Sequence, residues 1–195
     1  LALLRLLEER GDTTVRAAAP VAGIYDLYLQ WQAWLTRPHS PLVPALMLYT
    51  LKAYEKHLRF DGLYARAVQP QYAAAATEAK RLLDTDSGAR AIRLTPANAS
   101  ELFAPAFRRE AWLGDSPFYR ALRRNEVYAW RPRTLVRFYY GQADDVVMPD
   151  QALLAAGYMQ GLGANVVAVP AGAGAGHGEA FLFALREMKP WFDSL

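Results

Sequence analysis

The sequence predicts an α/β protein whose parallel sheet is interrupted, along the chain, by a block of helices. Three observations carry that prediction. From Thr134 onward the chain reads strand, helix, strand, helix, an order that calls for a parallel sheet with right-handed crossovers. Residues 13–26 contribute a further buried strand and a loop ahead of it. Between them, over residues 27–132, apolar residues recur at helical spacing and no strand pattern intervenes.

In chain order, "LALLRLLEERGD" reads as a helix entered midway. Leu1, Leu4 and Leu7 share a face, Arg5, Glu8, Glu9 and Arg10 are polar, and Gly11 closes the end. It is not a signal peptide, because it has no charged leading region and acidic residues follow the apolar run directly. "TTVRAAAPVAGIYD" holds a strand over about residues 14–21. Helical spacing then recurs in "LQWQAWL", "ALMLYTLKAYEKHLRF", "YAAAATEAKRLLD", "ASELFAPAFRREAWL" and "SPFYRALRRNE", punctuated by prolines at 38, 41, 44, 70, 96, 105 and 117. "TLVRFYY" is β-branched and aromatic and ends at "GQADDVV". The next helix, in "PDQALLAAGYMQGLG", places Leu154, Tyr158 and Leu162 on one face, with Pro149 in its first turn and Gly163 just past its end. "NVVAVP" is a second short strand, and "EAFLFALREMKPWF" a last helix with a stripe through Phe181, Leu185 and Met188. There is no internal repeat and no low-complexity linker.

Composition narrows the function. The 195 residues suffice for one ordinary domain, or one domain carrying an insertion. At 53% hydrophobic and 21% charged, the chain is globular rather than disordered. No apolar run approaches the ~18 residues of a membrane span. A net charge of +3 is too small to imply a polyanionic partner. Eight arginines between Arg108 and Arg137 outnumber Glu110, Asp115 and Glu126, but the aromatics among them form no single-strand stacking pattern. We read this as a solvated face with some internal pairing, and expect no nucleic-acid partner. Without cysteine the chain has no disulfide, thiolate metal site or cysteine nucleophile, and its compartment stays open. Three histidines with neither H-x-x-x-H spacing nor cysteine partners give no metal site.

The segment "VPAGAGAGHGEAF", residues 169–181, invites comparison with a phosphate-binding loop. G-x-G-x-x-G fits neither register: counted from Gly172 the sixth position is His177, and from Gly174 it is Glu179. The P-loop ending in Gly-Lys-Ser/Thr is absent too, so no nucleotide cofactor is expected. The loop instead presents His177. In a parallel sheet the loops that follow strands emerge at one edge, where open α/β sheets place their sites. The acidic "GQADD" and the His177 loop therefore face the same edge on neighbouring strands. A carboxylate beside an imidazole fixes its tautomer and stabilises its charged form, as a general base requires. Among other candidates, Asp150 reads as first-turn helix charge, His57 as a surface or packing residue, and His39 as part of a proline loop.

These residues carry a resemblance. "GQADDVV", "LGANVVAVP", "GHG" and the final helix ending in "PWF" resemble the C-terminal third of an α/β-hydrolase. "LALLRLLEERGD" resembles the helix behind that fold's nucleophile elbow, and "VRAAAPVAGIYDL" its sixth strand. "FYRALRRNEVYAWRPRTLVRFYYGQADDVV" is similar to secreted bacterial lipases and esterases of the fold.

The resemblance implies strands six to eight of the sheet in residues 1–26 and 133–195. A large helical cap over 27–132 would then be inserted between strands six and seven. It implies a triad acid in the G-x-x-D turn, which selects Asp144 over its neighbour Asp145, and a triad base in His177. Asp26 is the fallback acid, since some relatives carry theirs after the sixth strand; otherwise it caps the first cap helix. Trp31, Trp34, Tyr49, Tyr54, Phe103, Phe107, Trp112 and Phe118 would line an acyl pocket or simply pack the cap. No cofactor is implied.

The substrate class so implied is a small-molecule carboxylic ester, lipid-like for an apolar cap, with peptides as a variant, and the location leans secreted or periplasmic. A non-catalytic binding protein of the same fold is the alternative. No G-x-S-x-G occurs in the chain. By the match it belongs roughly ten residues before Leu1. The oxyanion donors are missing with it, so the chain alone is expected to be inactive and to need the N-terminal half of the fold. Without that half, the strand over 14–21 should expose an apolar edge and promote association.

Overall fold

The structure is a computed structural model and describes residues 1–82, 88–114 and 116–195. The chain divides into two compact units, one of residues 1–30 and 125–195, the other of residues 31–124. In the first unit, helix α1 (Ala2–Glu9) buries Leu4 and half-buries Leu1 and Leu7, as their spacing anticipates. Gly11 ends it with a φ of +79°, and across that turn the Asp12 N–H donates to the Leu7 carbonyl at 2.9 Å.

Strand β1 is only Ala17–Ala18, with a single further bridge between Val21 and Tyr139. The strand expected over 14–21 is thus much reduced. Pro20 supplies the reason: its carbonyl accepts from the Tyr139 N–H, but it has no N–H to return to the ladder. Helix α2 (Leu27–Thr36) then carries the chain out of this unit.

The second unit is helical: α3 (Val43–Leu58), α4 (Leu63–Ala67), a 3₁₀ turn (Pro70–Tyr72), α5 (Ala73–Leu82), α6 (Gly88–Arg93), α7 (Ala99–Leu102), α8 (Pro105–Leu113) and α9 (Pro117–Arg124). Prolines open its helices, Pro44 in α3, Pro105 in α8 and Pro117 in α9, where a missing N–H costs nothing. The helix expected over 99–113 is split in two, because Phe103 and Ala104 turn extended ahead of Pro105. The short α4 and α6 were not anticipated. Leu83 and Asp84, at the end of the expected helix over 72–84, lie outside the described residues, as does Asp115. Trp31, Phe103, Phe107 and Phe118 are fully buried, with Trp31 and Phe118 rings 5.1 Å apart and Phe107 and Phe118 rings 5.6 Å apart. These aromatics pack the unit's core, whereas Tyr49 and Trp112 are exposed.

Back in the first unit, β2 (Leu135–Tyr140) is the central strand, parallel to β1 on one side and to β3 (Val166–Pro170) on the other. Helix α10 (Asp150–Gly161) makes the crossover between β2 and β3, and α11 (His177–Asp193) follows. Alternate β2 residues face opposite ways. Val136, Phe138 and Tyr140 join Leu4, Ala152, Ala155, Ala156 and Met159 in one core. On the other face the Arg137 guanidinium lies 4.5 Å over the Trp191 ring, and Tyr139 meets Phe183, so α11 covers that side.

In two helices the face that turns inward is not the one expected from the apolar spacing. In α10, Tyr158 and Leu162 are exposed and Leu154 is half-buried; Ala152, Ala155, Ala156 and Met159 go inside. In α11, Phe181 and Leu185 are exposed and Met188 is half-buried, while Ala180, Ala184 and Trp191 are buried. In α10 alanines join the core beneath the sheet, where a small side chain lets the helix approach closely, whereas α11 meets the sheet through Phe183 and Trp191. Among the described residues, no helix is long and apolar enough to cross a membrane.

Candidate active site

The ladder between β2 and β3 pairs Tyr140 with Pro170, so the loops that follow leave the sheet side by side. After Tyr140 the chain turns through Gly141, and the Asp144 N–H points back to the Gly141 carbonyl at 3.4 Å. This turn buries the Asp144 side chain to 1% exposure. Its Oδ1 accepts from the N–H groups of Val146 and Val147, both at 2.9 Å. Its Oδ2 accepts from His177 Nδ1 at 2.8 Å. A carboxylate only accepts, so the proton of this bond lies on Nδ1, and Nε2 is the basic nitrogen of the neutral ring.

His177 is the first residue of α11. Its loop is built from backbone contacts. The Ala171 N–H extends the ladder to the Tyr140 carbonyl at 2.8 Å, and Gly172, at φ +129°, reverses the chain so that the Ala175 N–H reaches the Gly172 carbonyl at 3.1 Å. The Ala143 N–H crosses from the acid turn to the Ala175 carbonyl at 2.9 Å. At the helix start, Glu179 Oε2 accepts from the Gly176 N–H at 3.1 Å. The imidazole is 33% exposed, and among the described residues its Nε2 has no hydrogen-bond partner. The bond to Asp144 lifts the imidazole pKa above its ordinary value; partial burial opposes this, and the charges of Asp144 and Asp145 add to the rise.

The other candidates lie elsewhere. Asp145 is exposed beside the turn, and Asp150 sits in the first turn of α10. Asp26, buried, accepts the Leu29 N–H at 2.8 Å and caps α2. His39 is pinned in the helical unit, with its Nδ1 against the Ser40 carbonyl and its Nε2 accepting from the Ala99 N–H, while His57 is exposed on the last turn of α3. Among the described residues no cluster of histidine and carboxylate side chains is arranged to hold a metal ion.

Two residues that sequence reasoning passed over support the site. Buried Gln151 accepts from the Tyr25 and Asp26 N–H groups at 2.9 and 2.8 Å and donates to the Asp26 carbonyl. Buried Gln30 accepts from the Met148 N–H and reaches the Val146 carbonyl, directly behind the acid turn. Their only signal in the sequence is a glutamine next to apolar residues on a helix, in "LYLQWQ" and "PDQALL".

No family model matches the chain, and no curated protein matches it. Solved structures do. A Legionella pneumophila protein classed as a hydrolase superposes with a TM-score of 0.84 at 18% identity, over 97% of this chain and 50% of its own. The rice cell wall degrading esterase LipA from Xanthomonas oryzae superposes with a TM-score of 0.73 at 21% identity, over 95% of this chain and 51% of its own. Such likeness establishes the fold, that of the α/β-hydrolases. The chain spans about half the length of each of these structures.

Proposed function

We propose that this chain is the C-terminal, acid- and base-bearing portion of a serine hydrolase that cleaves carboxylic esters. The observation that carries the reading is the buried Asp144 carboxylate held on His177 Nδ1 at 2.8 Å, with Nε2 unbonded among the described residues. A general base needs that arrangement: one nitrogen oriented by an anion, the other open to a nucleophile's proton. The esterase and the hydrolase among similar structures support ester cleavage, and the lipid-like variant rests on the apolar residues of the helical unit.

In this reading β1, β2 and β3 are the fold's sixth, seventh and eighth strands, and the helical segment between β1 and β2 is its cap. The nucleophile is a serine upstream of Leu1, whose Oγ attacks the acyl carbon as His177 Nε2 takes its proton. The imidazolium, steadied by Asp144, returns that proton to the departing alcohol. Water, deprotonated by the same nitrogen, then releases the acid. The raised pKa of His177 suits both roles, because the ring must gain and lose a proton in each cycle. No metal or cofactor enters any step, and the chain without its serine is inactive.

The test is hydrolysis of p-nitrophenyl esters of short and long acyl chains by the protein expressed from the reading frame extended upstream of Leu1. We expect a G-x-S-x-G roughly ten residues before Leu1. His177→Ala should lower kcat/KM on the order of 10⁴-fold or more. An elbow without serine, or turnover indifferent to His177→Ala, sinks the reading and leaves a non-catalytic binding protein of the same fold.

A further inference from the structure

Gly141 stands at the exit of β2, against the histidine loop. A Cβ added there would lie 2.4 Å from the Ala175 carbonyl oxygen and 2.6 Å from that of Gly176, closer than the 3.0 Å below which a neighbour has to shift. Both neighbours are backbone atoms, so no flexible side chain can swing aside. Gly141 has no positive φ, so the demand for glycine at this position is spatial rather than conformational.

The same two carbonyl-bearing residues are held from two other directions. The Ala143 N–H donates to the Ala175 carbonyl at 2.9 Å, and Glu179 Oε2 takes the Gly176 N–H at 3.1 Å. Ala175 and Gly176 immediately precede His177. The contrast lies within the same loop: a Cβ at Gly174 meets nothing within 4 Å.

We propose that Gly141 is a positioning residue for the His177–Asp144 pair. By lacking a side chain it lets the Ala175–Gly176 backbone close onto the acid turn, and Glu179 holds the clasp from the helix side. The proposal deepens the hydrolase reading and rests on it for the pair's purpose. Clearing a Cβ at position 141 requires a retreat of about half an ångström or more. Passed on to His177, that retreat stretches a bond now at 2.8 Å beyond the usual N–H···O range, which ends near ~3.2 Å.

The experiment follows the His177 imidazole by NMR against pH in the protein expressed from the reading frame extended upstream of Leu1, its G141A and G174A variants, and E179A, with far-UV circular dichroism to verify folding. This readout needs neither substrate nor serine, so it stands or falls apart from the ester-cleavage assay. We expect G141A to bring the His177 titration down toward the ordinary imidazole value, E179A to move it the same way by less, and G174A to leave it at the parent's. A folded G141A that titrates as the parent does overturns the proposal. So does a G174A that shifts as far as G141A, because stiffening of the loop would then account for both. Should G141A not fold, E179A decides: a downward shift supports the clasp, and an unchanged titration refutes it.

Discussion

Replacing Asp144 by asparagine or by alanine separates the two jobs of its carboxylate. In the native turn Oδ1 carries two backbone N–H groups and Oδ2 carries His177. Asparagine keeps one carbonyl oxygen, enough to hold the Val146 and Val147 amides. It turns an NH₂ group toward Nδ1, where two donors now face each other. The imidazole must shift its proton to Nε2 or withdraw, and one charge-assisted bond is lost. Such bonds contribute about 1.5–3 kcal/mol. With the ring one-third exposed, the low end applies, so Asp144→Asn should cost about 1–1.5 kcal/mol. Alanine strands both buried amides as well, at about 1–3 kcal/mol each, for a total of about 3–7.5 kcal/mol.

Urea unfolding of each variant gives these differences, provided the m-value is unchanged. The pH dependence gives the sign. Because the folded His177 pKa is raised, its contribution is full below the ordinary imidazole value and fades as pH rises through the folded value. The gap between the parent and Asp144→Asn should therefore be widest in mild acid and close toward alkaline pH. Equal costs for asparagine and alanine would refute the division of labour between the two oxygens. A gap that does not vary with pH would refute the charged pair.

Three further outcomes are expected. Gln151→Met strands the Tyr25 and Asp26 amides inside the unit and should cost about 2–4 kcal/mol in urea unfolding; a loss below about 1 kcal/mol would show that those amides find other partners. Arg59 closes α3 at a φ of +55°, so Arg59→Gly should raise the thermal midpoint of the helical unit, by the equivalent of about 0.5–1 kcal/mol. Phe181, Leu182 and Leu185 stand exposed on α11, and the 195-residue chain should self-associate through such surface; sedimentation velocity should record this and the double variant L182E/L185E should reduce it, whereas a parent that stays monomeric at high concentration contradicts the expectation.

The parts of the candidate site that were legible in the sequence are those that topology brings together. Asp144 and His177 each follow a strand, and two neighbouring parallel strands deliver their following loops to one edge whatever the details of packing. What depended on approach distance was not legible. The apolar counts along α10 and α11 favour leucine, phenylalanine and tyrosine, yet Ala152, Ala155, Ala156, Ala180 and Ala184 are the buried positions where the larger side chains stay exposed. A hydrophobicity pattern weighs size, whereas a close helix–sheet contact selects for its absence. Pro20 breaks β1 through one missing donor, which β-branched and apolar enrichment does not register. Gln30 and Gln151 read as ordinary helix polar residues until the backbone groups they satisfy come within reach.

The glycine that opens the acid turn follows from the same geometry. Loops that leave paired strands side by side start about 4.8 Å apart, too close for two rows of side chains between them. One solution is for the backbones themselves to touch, and here they do: Ala143 bonds to Ala175, and Gly141 leaves no Cβ in the way. Within the histidine loop the contact falls on the backbone of Ala175 and Gly176, whereas a Cβ at Gly172, Gly174 or Gly178 would meet nothing within 4 Å. "AGAGAGHG" resembles a phosphate cradle in composition but fits neither of its patterns. Gly141 lets one peptide chain close on another, and the side chain so delivered is His177, with its Nδ1 on Asp144.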